Sequence, residues 1–195
     1  MQEHFEKVIG RLRTLEGLVE RLQTVESGGS GVKIVAVKYA EFTGTQATNV
    51  NAGATLNVTG LSIAHAMTKS TNKLFLIAHI GVLTQSNRDG RAGSAIYDGS
   101  NPILVGNAYS SAARVGSGTI SSGSNASAGY LYNLAHITGV YSPGTTSSKT
   151  YTVRAINLDT STKTIYVNRT ESDTGAVAFA RGYSSFVLFE FEGIS

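Results

Sequence analysis

The chain has no cysteine and no tryptophan, only two prolines, and few charges for its 195 residues. Without thiols it can hold no disulfide framework, no thiolate zinc site and no cysteine nucleophile. Without tryptophan, stacking on sugar rings would fall to its nine tyrosines. Charged side chains make up 15%, against roughly 25% in an average soluble protein. No stretch approaches the ~20 apolar residues of a membrane helix. The opening MQEHFEKVIG carries acids where a secretory signal has an apolar run. The net charge is +3, and Lys and Arg beyond position 30 are scattered rather than gathered on one basic face, which argues against nucleic-acid binding.

What is present falls into two parts. Nine of the 29 charged residues lie in the first 26 positions. There Phe5, Val8, Leu12, Leu15, Val19 and Leu22 alternate in steps of three and four, a heptad seam with Phe5, Leu12 and Val19 at a and Val8, Leu15 and Leu22 at d. Arg11 at g and Glu16 at the following e have the signs of an interhelical pair in a parallel coiled coil. Ile9, Leu18 and Val25 widen the apolar stripe, which favours a trimer over a dimer. A helix this short is marginal alone, so association would order it. The other reading is an amphipathic helix folded onto its own β domain. Residues 27–31, Ser-Gly-Gly-Ser-Gly, would end the helix as a flexible joint.

From residue 32 to 195 the pattern is β. Strands are expected at 32–42, 55–61, 73–84, 92–98, 103–107, 129–141, 150–158, 164–169 and 184–191, with no helical period among them. Many short strands without helices point to an antiparallel β-sandwich or jelly-roll head. In the last strand Val187, Phe189 and Phe191 alternate with Leu188, Glu190 and Glu192, one face to be buried and the other wet. Residues 106–129 are nearly low-complexity: a mobile loop, with a strand at Ile120 embedded in it, or a recognition loop on a rigid scaffold.

Catalytic signatures are lacking. His65, His79 and His136 are far apart, and the last two lie in apolar strands, as core or interface histidines do. The sparse acids show no facing pair of the kind that a glycosidase needs. Asp89 and Asp98 precede glycines, as in hairpin turns. The three Asn-x-Ser/Thr triplets, at Asn57, Asn125 and Asn168, read as coincidence in so hydroxyl-rich a chain. Arg88, Asp89, Arg91, Tyr109, Arg114 and Asn125 are the loop residues suited to a polar ligand such as a surface glycan. No catalytic residue, metal ligand or cofactor site is expected.

Thr55–Ile63 and Ser70–His79, with KSTNKLFLIAHI as the clearest part, resemble a pattern in the C-terminal β domains of bacteriophage tail fibres and other virion surface proteins, notably of marine and cyanobacterial phages. The opening VKIVAVKYAEFTG and the closing FVLFEFEGIS are similar to the same domains. The resemblance spans most of residues 32–195 and carries no catalytic residues. It implies a trimeric β head displayed on the virion and often used for host attachment; on this reading the N-terminal helix would dock the trimer on capsid or tail proteins of a particle assembled in the host cytoplasm, and the heads would meet a host glycan or protein. A short head fibre, a capsid decoration protein and a small tail spike all fit; a polysaccharide depolymerase fits less well.

Overall fold

Runs rich in Val, Ile, Thr, Tyr and Phe, bounded by Gly, Asn and Ser, favour extended pairing. The computed structural model describes residues 31–86, 91–106, 115–120, 134–170 and 181–193. Among these the runs form β1 (Lys33–Phe42), β2 (Gln46–Val50), β3 (Thr55–His65), β4 (Lys73–Ile80), β5 (Leu83–Gln85), β6 (Arg91–Asp98), β7 (Asn101–Ile103), β8 (Ser117–Ile120), β9 (Ala135–Tyr141), β10 (Lys149–Asn157), β11 (Lys163–Val167) and β12 (Ser184–Glu192). There is no helix among the described residues. The heptad seam lies outside them, as do residues 27–30 of the joint.

The strands make three antiparallel sheets. Sheet I has the order β1-β12-β4-β9; sheet II has β3-β10-β6-β7, with β8 also on β6; sheet III has β2-β11-β5. Pairing across the two large sheets is nested: β1 with β12, β3 with β10, β4 with β9, β6 with β7. One apolar cluster draws on all three sheets, with Leu76, Ile80, Phe186 and Leu188 from sheet I, Ile63, Ile96, Tyr151 and Val153 from sheet II, and Val50, Leu83, Ile165 and Val167 from sheet III. The two large sheets therefore face each other across a shared core.

Three expectations need correction. The strand expected at 73–84 breaks at Gly81, where a Cβ would sit 2.4 Å from the Tyr183 carbonyl oxygen. Only glycine admits that approach, and beyond it the chain leaves sheet I to form β5 in sheet III. The strand expected at 103–107 runs instead over Asn101–Ile103, paired with β6 across the two-residue turn Gly99-Ser100, with Gly99 at φ 59°. The third correction concerns the faces of β12. Phe186, Leu188 and Glu190 point into the core, while Val187, Phe189 and Phe191 are only partly covered on the outside. The glutamate expected on the wet face is fully buried. β2 is also unforeseen, because QATNV is too polar to declare itself as a strand. The strand embedded near Ile120 does form, as β8 on β6.

Candidate functional site: an apolar sheet face

Glu190 is tolerated in the core because neighbouring donors saturate it. His65 Nε2 donates to Oε2 at 2.9 Å, while the Thr68 amide (2.8 Å), the Thr68 hydroxyl (2.6 Å) and Asn72 Nδ2 (2.6 Å) donate to Oε1. Burial alone would raise its pKa, but these hydrogen bonds outweigh it and hold the carboxyl below the usual glutamate range. A second buried acid, Asp98, accepts from Lys149 Nζ at 2.5 Å and from the Tyr141 hydroxyl at 2.8 Å. Burial, and then that hydrogen bond, push the Tyr141 phenol up to about 12. Asp98 thus ties β6 to β9 and β10 besides opening the Gly99-Ser100 turn. Both acids are committed to holding strands together. Among the described residues no group of three or more His, Asp or Glu side chains could hold a metal ion.

Because each strand presents alternate residues to opposite faces, fixing Glu190 inward fixes Val187, Phe189 and Phe191 outward. Their cross-strand neighbours follow from the register. Val37, Phe189, Phe75 and Val140 form one row across β1, β12, β4 and β9, and Tyr39, Val187, Ile77 and Thr138 form the next. Ile34 and Lys73 flank Phe191 at one end, and Ser185, His79 and His136 line up at the other. The Phe75 and Phe189 rings lie 6.4 Å apart and the Phe189 and Phe191 rings 6.2 Å apart, an aromatic ridge along the middle of the sheet.

The large apolar side chains exposed among the described residues are Val32, Ile34, Val37, Tyr39, Leu134, Val140 and Tyr183, and all belong to the strands of sheet I or lie within two residues of them. Val37 and Tyr39 are each 54% exposed and Val140 is 50% exposed. Scattered apolar residues are ordinary on a protein surface, whereas a contiguous set on one face marks an interaction site. The outer face of sheet II is different. There Ala95, Tyr97 and Ile156 are buried under Val105, Val115 and Leu158, and the Arg154 guanidinium lies 4.1 Å from the Tyr97 ring centre.

The rim of the exposed face is polar. Tyr39 donates to Glu41 at 2.9 Å and shares a hydrogen bond with Tyr183, which, together with partial burial and Glu41, raises the Tyr39 phenol above its ordinary pKa. His79 and His136 sit side by side, with ring centres 6.4 Å apart. His65 is the buried histidine, bonded to Glu190.

Of the loop residues singled out for a polar ligand, Arg88, Asp89, Tyr109, Arg114 and Asn125 lie outside the described residues. Arg91 lies within them and is exposed; with Leu158, Asp159 and Thr160 it lines a cavity of about 280 Å³. The Asp159 carboxylate there already accepts from the Thr160 amide at 2.7 Å and faces Lys163 at 3.7 Å. Sequence reasoning missed the face of sheet I, although it left a signal. KLFLIAHI in β4 and SSFVLFEFE in β12 are apolar in both alternating phases, the mark of strands covered on both sides.

No family model matches the chain, and no curated protein matches it. Among solved structures it is similar to a chain in the structure of infectious bursal disease virus Gx strain, with a TM-score of 0.40, 10% identity, and coverage of 80% of this chain and 40% of that one. It is also similar to a chain in the crystal structure of the infectious bursal disease virus VP2 subviral particle, with a TM-score of 0.37, 10% identity, and coverage of 83% and 43%. The chain thus spans about 40% of the length of the solved chains it matches.

Proposed function

We propose that the chain is a non-enzymatic structural protein of a bacteriophage particle. In this reading it is a short homotrimeric fibre or spike, displayed on the virion surface and used to attach to the host. The observation that carries the reading is the exposed apolar face of sheet I: among the described residues the large exposed apolar side chains all lie in the strands of that sheet or beside them. Such a surface suits permanent assembly better than turnover of a substrate. The nested strand pairing is that of a jelly roll, an architecture used by viral capsid and lectin domains. Fold alone does not assign function, so the sequence resemblance to phage surface domains supplies the class. The N-terminal seam would gather three copies and dock them on capsid or tail proteins, leaving the heads to meet a host glycan or protein.

An exposed apolar face also favours a second reading, a capsid decoration protein that bridges neighbouring capsomers. Immunogold labelling of intact particles separates the two. Label at the tail tip or on sparse fibres fits attachment, and label following the whole capsid lattice overturns attachment in favour of decoration. Incubation with host surface polysaccharide tests the non-enzymatic claim, since shortening of the chains would overturn it.

A further inference from the structure

We infer that the outer face of sheet I is the surface through which copies of this chain pack head against head, so that the β heads associate by a contact of their own besides any made by residues 1–26. The inference rests on the self-assembling reading proposed above and names the partner of the apolar face.

Three observations select a second copy as the occupant. The edge strand β1 begins at Lys33, directly after the glycine-rich joint, and β1 with Val32 carries four of the exposed apolar side chains, Val32, Ile34, Val37 and Tyr39. A joint of five residues reaches at most about 18 Å. Any assembly gathered by the heptad seam therefore brings the start of β1 in every copy, where Val32 and Ile34 are exposed, close to one axis. The charges on the face suit an identical partner: Glu41 stands at one end of β1 and Lys73 at the opposite end of β4, with the centre free of charge. With both charges at the margins, the apolar centres of neighbouring copies can meet around a shared axis without burying a like pair. Finally, the face has the layout of an interface, with the Phe75 and Phe189 rings at its centre, Phe191 beside them at one end, and Tyr39, Glu41, His79 and His136 toward its margin.

The absence of native cysteine makes single-cysteine probes clean. Val37→Cys and Val140→Cys, both at half-exposed positions, are compared in the full chain with Ala64→Cys, exposed on β3 of sheet II. Maleimide labelling is timed across a dilution series whose mass is read by sedimentation. In the oligomer the two sheet I cysteines should label about tenfold more slowly than Ala64→Cys, and dilution to the monomer should remove the difference. An oligomer in which all three label alike would overturn the inference and leave assembly through residues 1–26 standing. Monomeric mass at every concentration would overturn both this contact and the trimer. Slow labelling in a monomer would overturn the inference by showing that the chain's own N-terminal segment covers the face.

Discussion

The outer faces of the two large sheets carry similar apolar residues and are treated differently. On sheet II, Ala95, Tyr97 and Ile156 are covered by Val105, Val115 and Leu158 of the same chain. On sheet I, Val37 and Val140 are half-exposed and Phe75, Val187 and Phe189 between them are partly buried, among the described residues. Burying a large side chain contributes about 1.5–3 kcal/mol relative to leaving it exposed. Sheet II gains that stabilisation within one head, whereas sheet I can gain it only from something laid against it. The difference separates a face that completes the fold from a face that is available for assembly.

The core beneath both faces holds the most deeply buried side chains. Phe186→Ala, at a fully buried position on β12, should lower the unfolding free energy by roughly 4 kcal/mol in urea titration. A loss no larger than that of Phe189→Ala on the same strand would reverse the assignment of inner and outer faces.

Next in size is Glu190→Ala, which strands the His65, Thr68 and Asn72 donors and should cost about 3 kcal/mol near neutral pH. The pH dependence has a definite sign. The folded carboxyl titrates below its ordinary value of about 4.3. Its contribution is therefore present above that pH and lost as pH falls through it toward the lower folded value. Denaturation followed between neutral pH and the acid range should show this loss in the native sequence and a shallower acid slope in Glu190→Ala. Equal slopes would mean that the carboxylate is not held in the folded state as described.

Ile156→Ala and Phe189→Ala separate the two outer faces. The first should cost roughly 3 kcal/mol at any protein concentration, because its cover is intramolecular. The second should cost about 1 kcal/mol in the dilute monomer and more as association rises. Thermal unfolding across a hundredfold concentration range reads both, and a concentration-independent Phe189→Ala would remove the distinction. The smallest effect belongs to Glu192→Gln, which breaks the exposed pair with Lys69. It should change stability by less than about 0.5 kcal/mol, and a larger change in calorimetry would show that the pair is shielded from solvent.

Much of the head was legible from residue type alone. The runs at 32–42, 92–98, 150–158 and 184–191 lie close to β1, β6, β10 and β12 because β-branched and aromatic residues pack well on a pleated surface. Sheet III was not legible. Its β11 pairs with β2, more than a hundred residues earlier, and with the three-residue β5, and no local period encodes so distant a pairing. The break at Gly81 depends on the Tyr183 backbone lying against it, which a single strand's sequence cannot report. The candidate site was hidden for a related reason: β12 is apolar in both phases, and the glutamate in one phase pointed to the wrong wet face.

Residue type alone established the β character of the described residues from Lys33 to Glu192, the absence of thiol chemistry, and a charged heptad pattern set before them on a glycine-rich joint. Alternation along a strand separates two faces without saying which one packs inward. Only the tertiary structure decided that, because the donors that make Glu190 tolerable in the core come from His65, Thr68 and Asn72, more than a hundred residues away in the chain. With the glutamate satisfied inside, Val187, Phe189 and Phe191 had to face out.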